Sequence, residues 1–129
     1  MKKRILLVDD SPLVLEMNKA QLEEAGYEVL IASDGQEGLD LARKESLDAI
    51  LLDLMLPKLD GYKVCRMLKF DKAFEHIPVI IFSAKESDAD KKLAEQAGAN
   101  AYMVKPFDLE LFNRTIEKLA GGQAPDQPV

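Results

Sequence analysis

The sequence contains no tryptophan, a single cysteine and a single histidine, and each scarcity removes a class of function. Cys65 alone makes no internal disulfide and no thiolate ligand pair, which suits a reducing compartment. It shares a helical face with Val64 and Leu68 and reads as a core residue rather than a reactive thiol. His76 precedes Ile77-Pro78 in an expected loop, without a second metal or triad partner, and takes no catalytic role. Positive charge is also short: 17 Lys and Arg against 23 Asp and Glu leave a net charge of -6. That balance argues against a phosphate-backbone footprint, so no direct nucleic-acid partner is expected. No apolar run is long enough to span a bilayer, so no membrane insertion is expected. Met1-Lys2-Lys3-Arg4 followed by Ile5-Leu6-Leu7-Val8 imitates the start of a signal peptide, but Asp9-Asp10 cuts the run and no small-residue cleavage site follows. The expected location is cytoplasmic.

What is present is an ordinary globular composition: 129 residues, 47% hydrophobic and 31% charged, the size of one domain with one substantial core. Five β-rich runs are read at Arg4 to Val8, Tyr27 to Ala32, Asp48 to Asp53, Pro78 to Phe82 and Ala101 to Val104. A helix is expected after each. The first starts at Ser11-Pro12 and stops at Gly26, with Val14, Met17 and Ala25 on its inner face, flanked by Leu13 and Leu22. The second carries Gly38, Leu39 and Ala42 inward. The third, Tyr62 to about Lys72, carries Val64, Cys65 and Leu68. Ser87 caps the fourth and Gly98 closes it, while Asp108 caps a last helix with Leu109, Phe112, Ile116 and Leu119 on one stripe. Helical crossovers between all strands make the sheet parallel and the fold an α/β three-layer αβα sandwich. The domain is expected over residues 1–120, with the Gly-, Pro- and Gln-marked residues 121–129 as a flexible tail or the start of a linker.

The stretch Ala49 to Gly61 organises the rest, because an apolar strand there ends on Asp53 and breaks into a Pro57- and Gly61-marked loop. On this stretch alone Asp53 reads equally as a ligand-binding carboxylate and as a cap of the following turn. In a parallel sheet, however, residues past the carboxyl ends of the strands meet on one edge, and here these are Asp9, Asp10, Asp53, Ser83 and Lys105. Three like charges repel by a few kcal/mol per pair at an effective dielectric near 20, so the cluster calls for countercharge. Lys105 supplies part of it. An all-oxygen, solvent-accessible donor set suits Mg2+, or Mn2+, for the rest.

Asp9-Asp10 after the first strand, Asp53 within Asp53-Leu54-Met55-Leu56-Pro57 and Asp60-Gly61, Ser83-Ala84 after the fourth, and Lys105-Pro106-Phe107 after the fifth together resemble the receiver domain of bacterial two-component response regulators. The resemblance covers residues 4 to 119, and it implies a flavodoxin-like strand order of 2-1-3-4-5. It also implies that Asp53 is the phosphoacceptor and that Asp10, Asp53 and the backbone carbonyl of Met55 ligate Mg2+, with Asp9 acting through water. Lys105 and Ser83 would contact the phosphoryl oxygens, and Ser83 and Tyr102 would form a switch. The Lys105-Pro106 peptide would be cis. Ser83 stands where many members have threonine, and the hydroxyl is retained.

The implied donor is a histidine kinase or phosphotransfer protein. The implied output is a downstream protein, or a second copy of the chain, docking on the face made by the fourth helix, fifth strand and last helix. Such a domain is not an ordinary enzyme, although it can catalyse its own phosphorylation and dephosphorylation. Three other functions fit the sequence less well. A metal-dependent aspartyl-phosphate phosphohydrolase needs a general-acid carboxylate two residues after the nucleophile, where this chain has Met55. A flavin carrier needs a phosphate-binding loop where Asp9-Asp10 would repel it. An unphosphorylated receiver-like interaction module is disfavoured because no site residue is missing.

Overall fold

A computed structural model describes residues 2–120, and the tail expected at 121–129 lies outside them. In chain order the elements are β1 (Arg4–Val8), α1 (Pro12–Glu24), β2 (Glu28–Ala32), α2 (Gly35–Lys44), β3 (Ala49–Leu52), α3 (Gly61–Lys69), β4 (Val79–Ser83), α4 (Asp88–Gln96), β5 (Ala101–Val104) and α5 (Leu109–Ala120). The strands form one sheet of order β2-β1-β3-β4-β5, with every pairing parallel. The α/β architecture and its 2-1-3-4-5 order follow the sequence reading.

Period-2 alternation divides the strand side chains between two cores. Leu6, Val8, Ile50, Leu52, Val79 and Ile81 point to the layer of α2, α3 and α4. Ile5, Leu7, Ala49, Leu51, Ile80 and Phe82 point to the layer of α1 and α5, where Leu15, Leu22, Phe112 and Ile116 meet them. β3 and β4 are buried at every residue, as apolar strands covered on both faces must be. Each fully buried leucine or isoleucine there contributes roughly 1.5–3 kcal/mol of transfer free energy.

The helices start where a short polar side chain takes an orphan N–H. Ser11, Asp34, Asp60 and Ser87 each accept from the third residue onward, and Asp108 Oδ1 accepts from Leu111 N–H at 3.1 Å. Two expectations need correction. In α1 the inner face is Leu15, Asn18 and Leu22, while Leu13 and Met17 are 64% and 57% exposed and Ala25 is exposed as well. Leu13, Val14, Leu15 and Met17 are too closely spaced to define one stripe, and the fit of Leu15 and Leu22 against Phe112 and Ile116 selected the register. α3 also ends at Lys69 rather than near Lys72. Its last side chain turns back, with Lys69 Nζ donating to the carbonyls of Glu75 (2.6 Å) and Ile77 (3.0 Å), which satisfies a tight turn instead of another helical turn.

Candidate functional site

The register of the sheet brings the ends of β1, β3, β4 and β5 to one edge. Asp53 follows β3, and its N–H donates to the Val8 carbonyl at 2.9 Å, which sets it beside the end of β1. Asp9 is likewise fixed through its N–H to the Ala32 carbonyl at 3.1 Å. The loop after Asp53 turns at Lys58, whose φ of 67° is left-handed, and returns to Gly61. Gly61 approaches the acceptor strand so closely that a Cβ there would sit 2.1 Å from the Asp53 carbonyl oxygen, so only glycine fits.

Lys105 Nζ lies between two carboxylates, 2.7 Å from Asp9 Oδ2 and 3.4 Å from Asp53 Oδ2. It also lies 5.3 Å from the centre of the Phe82 ring. Asp9 and Asp53 are buried, with 4% and 6% exposure, whereas Asp10 is exposed. One carboxylate oxygen from each of Asp9, Asp10 and Asp53 lies within 4.8 Å of the others. At that separation two carboxylates repel by on the order of 3 kcal/mol at an effective dielectric near 20. The Lys105 ammonium thus pairs with two of three clustered carboxylates.

The electrostatics follow from this crowding. Burial raises the Asp53 carboxyl above its ordinary value, and the Asp9 charge adds to the rise against the opposing pull of Lys105 and the Met55 N–H. Burial opposes the Lys105 ammonium, yet its hydrogen bond to Asp9 and the charge of Asp53 outweigh it, and its pKa is raised. Asp53 Oδ1 accepts from Met55 N–H at 3.2 Å, and Asp9 Oδ1 accepts from Ser11 N–H at 3.0 Å. Lys105 occupies one oxygen of each buried carboxylate, and the exposed Asp10 carboxylate completes an all-oxygen donor set that fits a hard divalent cation.

Ser83 closes β4, buried, and its Oγ accepts from Lys85 N–H at 3.1 Å. Tyr102 on β5 is half-buried, and its hydroxyl donates to the Lys85 carbonyl at 2.8 Å. The Lys105–Pro106 peptide is cis. Met55 is exposed at the mouth of the site, 60% accessible, and brings no acidic group to it. Cys65 is buried, with its thiol pushed up to about 12 by burial and donating to the Ala97 carbonyl at 3.5 Å. His76 is exposed in the turn before β4. The structure thus brings Asp9, Asp10, Asp53 and Lys105 into one cluster, with Ser83 on the adjoining strand and Tyr102 linked to it through the residue Lys85.

Tyr62 is a residue that sequence reasoning passed over. Its hydroxyl reaches from α3 to the first turn of α4, 3.3 Å from the Asp90 carbonyl oxygen. A tyrosine on the flank of an amphipathic helix gives no local signal beyond packing.

With this geometry in place, comparison with known proteins finds that the family model for the response regulator receiver domain matches residues 5–117. The chain is 41% identical over 119 residues to the alkaline phosphatase synthesis transcriptional regulatory protein PhoP of Bacillus subtilis, covering 92% of this chain and 49% of that one. It is 40% identical over 119 residues to protein PilH of Pseudomonas aeruginosa, covering 92% of this chain and 98% of that one. It therefore spans about half the length of some curated relatives and nearly all of others. Among solved structures, the receiver domain of sensor histidine kinase PA1611 from Pseudomonas aeruginosa superposes with a TM-score of 0.85 at 33% identity, over 94% of this chain and 99% of that one. That protein holds a magnesium ion in its active-site cleft.

Proposed function

Because the chain belongs to the response regulator receiver domain family of two-component systems, we propose that Asp53 is its phosphoacceptor and that phosphorylation requires Mg2+. The observation that carries this reading is the position of Asp53: a buried carboxylate 3.4 Å from Lys105 Nζ, in a cluster of three carboxylates of which Lys105 pairs with two.

In the proposed reaction an Asp53 carboxylate oxygen attacks phosphorus, and the bond from phosphorus to the donor's imidazole nitrogen breaks with its electron pair leaving on nitrogen. Asp10, Asp53 and the Met55 carbonyl, with Asp9 through water, would hold the metal, which when bound neutralises phosphoryl charge as it passes from donor to acceptor. Lys105 pairs with a phosphoryl oxygen and Ser83 donates its hydroxyl to another, so both act on charge that develops during transfer. The donor is a histidine kinase or phosphotransfer protein, and Mn2+ substitutes for Mg2+ at the same oxygens. The receiver domain occupies residues 1–120. It works in the cytoplasm, without direct nucleic-acid contact. No helix among the described residues is long and apolar enough to cross a membrane.

Output follows from Ser83 and Tyr102. When the Ser83 hydroxyl turns toward phosphate, Tyr102 leaves the Lys85 carbonyl and turns inward. The face of α4, β5 and α5 is thereby changed for a protein target or a second copy of the chain. The same site catalyses its own phosphorylation from small donors and its own dephosphorylation.

Intact-mass measurement after incubation with acetyl phosphate or a histidine kinase tests the reading. One phosphoryl adduct is expected on the parent with Mg2+, none on Asp53→Asn and little on Asp10→Ala. Equal labelling of parent and Asp53→Asn would show the acceptor to lie elsewhere.

A further inference from the structure

The start of α3 is backed directly against the acceptor strand. Gly61 N–H donates to the Leu54 carbonyl at 3.0 Å, and no side chain fits between Gly61 and the Asp53 carbonyl. Tyr62 follows at once, half-buried in the gap toward α4. Its hydroxyl lies 3.3 Å from the Asp90 carbonyl oxygen and 3.5 Å from Asp90 Oδ1. O–H···O bonds usually measure about 2.7–2.8 Å, so this contact is long and easily broken. Burial pushes the Tyr62 phenol up to about 12, which keeps its proton in place as a donor across neutral pH.

The two ends of α4 are held by different means. At its C-terminal end Ala94 and Ala97 are buried, the Cys65 thiol donates to the Ala97 carbonyl, and Gly98, at φ +92°, lies against the Lys69 stem. Packing of that kind resists displacement. At the N-terminal end the holds are polar: Ser87 caps the Asp90 N–H at 3.1 Å, Tyr62 reaches Asp90, and Tyr102 holds the Lys85 carbonyl just before the helix. Tyr62 is the one of these that grows directly out of the loop carrying Asp53.

We propose that the Tyr62 hydroxyl is a positioning hold on the first turn of α4, coupling that helix to the Asp53 loop independently of Ser83 and Tyr102. The hold is made in the unphosphorylated arrangement and released in the phosphorylated one. This rests on the reading of Asp53 as acceptor. Coupling is reciprocal: if a phosphoryl group loosens α4, loosening α4 must favour binding of the phosphoryl group.

The test is Tyr62→Phe, which keeps the ring and removes the hydroxyl. In the unphosphorylated full chain, amide exchange at residues 90 and 91, whose N–H groups bond Ser87, is expected to quicken several-fold, with residues 97–99, bonded to the far end of the helix, unchanged. Titration with beryllofluoride and Mg2+, followed by amide shifts, is expected to show roughly threefold tighter binding, the low end of what one neutral hydrogen bond supplies. Unchanged exchange at residues 90 and 91 would overturn the hold. A lowered melting temperature with unchanged beryllofluoride affinity would overturn the coupling and leave only a packing role. If neither parent nor variant binds beryllofluoride, the reading of Asp53 fails, and the exchange pattern still decides whether Tyr62 holds α4.

Discussion

Arg4 and Asp9 flank the two ends of the same strand, and their surroundings differ in a way that separates architecture from chemistry. At the amino edge, Arg4 pairs with Glu28 at 2.9 Å and Glu45 at 3.0 Å and donates to the Ser46 carbonyl at 2.7 Å, while its backbone N–H is taken by Asp48. Each Arg4 nitrogen there meets an acceptor from another part of the chain, so the cluster ties β1 to β2 and to the turn before β3. At the carboxyl edge, Lys105 meets Asp9 and Asp53 with the Asp10 carboxylate close by, and negative charge is in excess. Each edge thus sets one cation among three carboxylates, and burial is what separates them: Glu28, Glu45 and Asp48 reach solvent, which screens their excess charge, whereas Asp9 and Asp53 are buried and call for a further cation.

The sharpest way to break this comparison is to remove the cation from each edge. Lys105→Met should destabilise the chain by about 2–3 kcal/mol in metal-free buffer, since it strands two buried carboxylates whose partner was itself only partly exposed. It should also strongly reduce phosphorylation of Asp53. Chemical denaturation with and without Mg2+ checks the first effect, and the loss should shrink when the metal is present.

A second prediction uses the sign of the Asp53 shift. Its folded pKa lies above the ordinary value of 3.8, so Asp53 favours folding below that value and loses its contribution as pH rises through the folded pKa. Asp53→Asn should therefore melt higher than the parent at pH 7 without metal, and the difference should vanish as pH falls toward 4. A constant difference from pH 4 to 7 would refute burial of an ionised Asp53. Asp34 supplies the opposite case: its pKa is lowered, first by the Glu37 N–H it caps, so its contribution is present above the ordinary value and fades as pH falls. Asp34→Asn should then differ from the parent mainly at neutral pH, and in the destabilising direction.

The smallest effect belongs to Arg4→Ala. Its ion pairs are partly exposed, so the melting temperature should drop modestly and the drop should lessen in high salt, with Asp53 phosphorylation unchanged. A change in phosphorylation rate at this distance would blur the division between the two edges.

Much of this molecule was legible in the chain because its signals are local. Val64, Cys65 and Leu68 of α3 alternate with Lys63, Arg66 and Lys69, so one face was unambiguous and the structure buries it. Ser87 and Asp108 announced helix starts through side chains that serve N–H groups three residues on. In α1 the same reasoning failed, because four apolar residues within five positions offer two stripes, and only the partners on β1 and α5 choose between them.

Strand runs, caps and helical crossovers are decided within a few residues, and the carboxyl ends of parallel strands must share an edge; the sequence alone therefore determined the sandwich and the company of Asp9, Asp10, Asp53 and Lys105. Tertiary structure decided the distances. That Lys105 sits nearer Asp9 than Asp53, that Gly61 presses on the Asp53 backbone and that Tyr62 touches Asp90 depend on how separate elements settle against one another. Such contacts are fixed by close packing between distant parts of the chain, to fractions of an ångström, and local propensity carries no record of them.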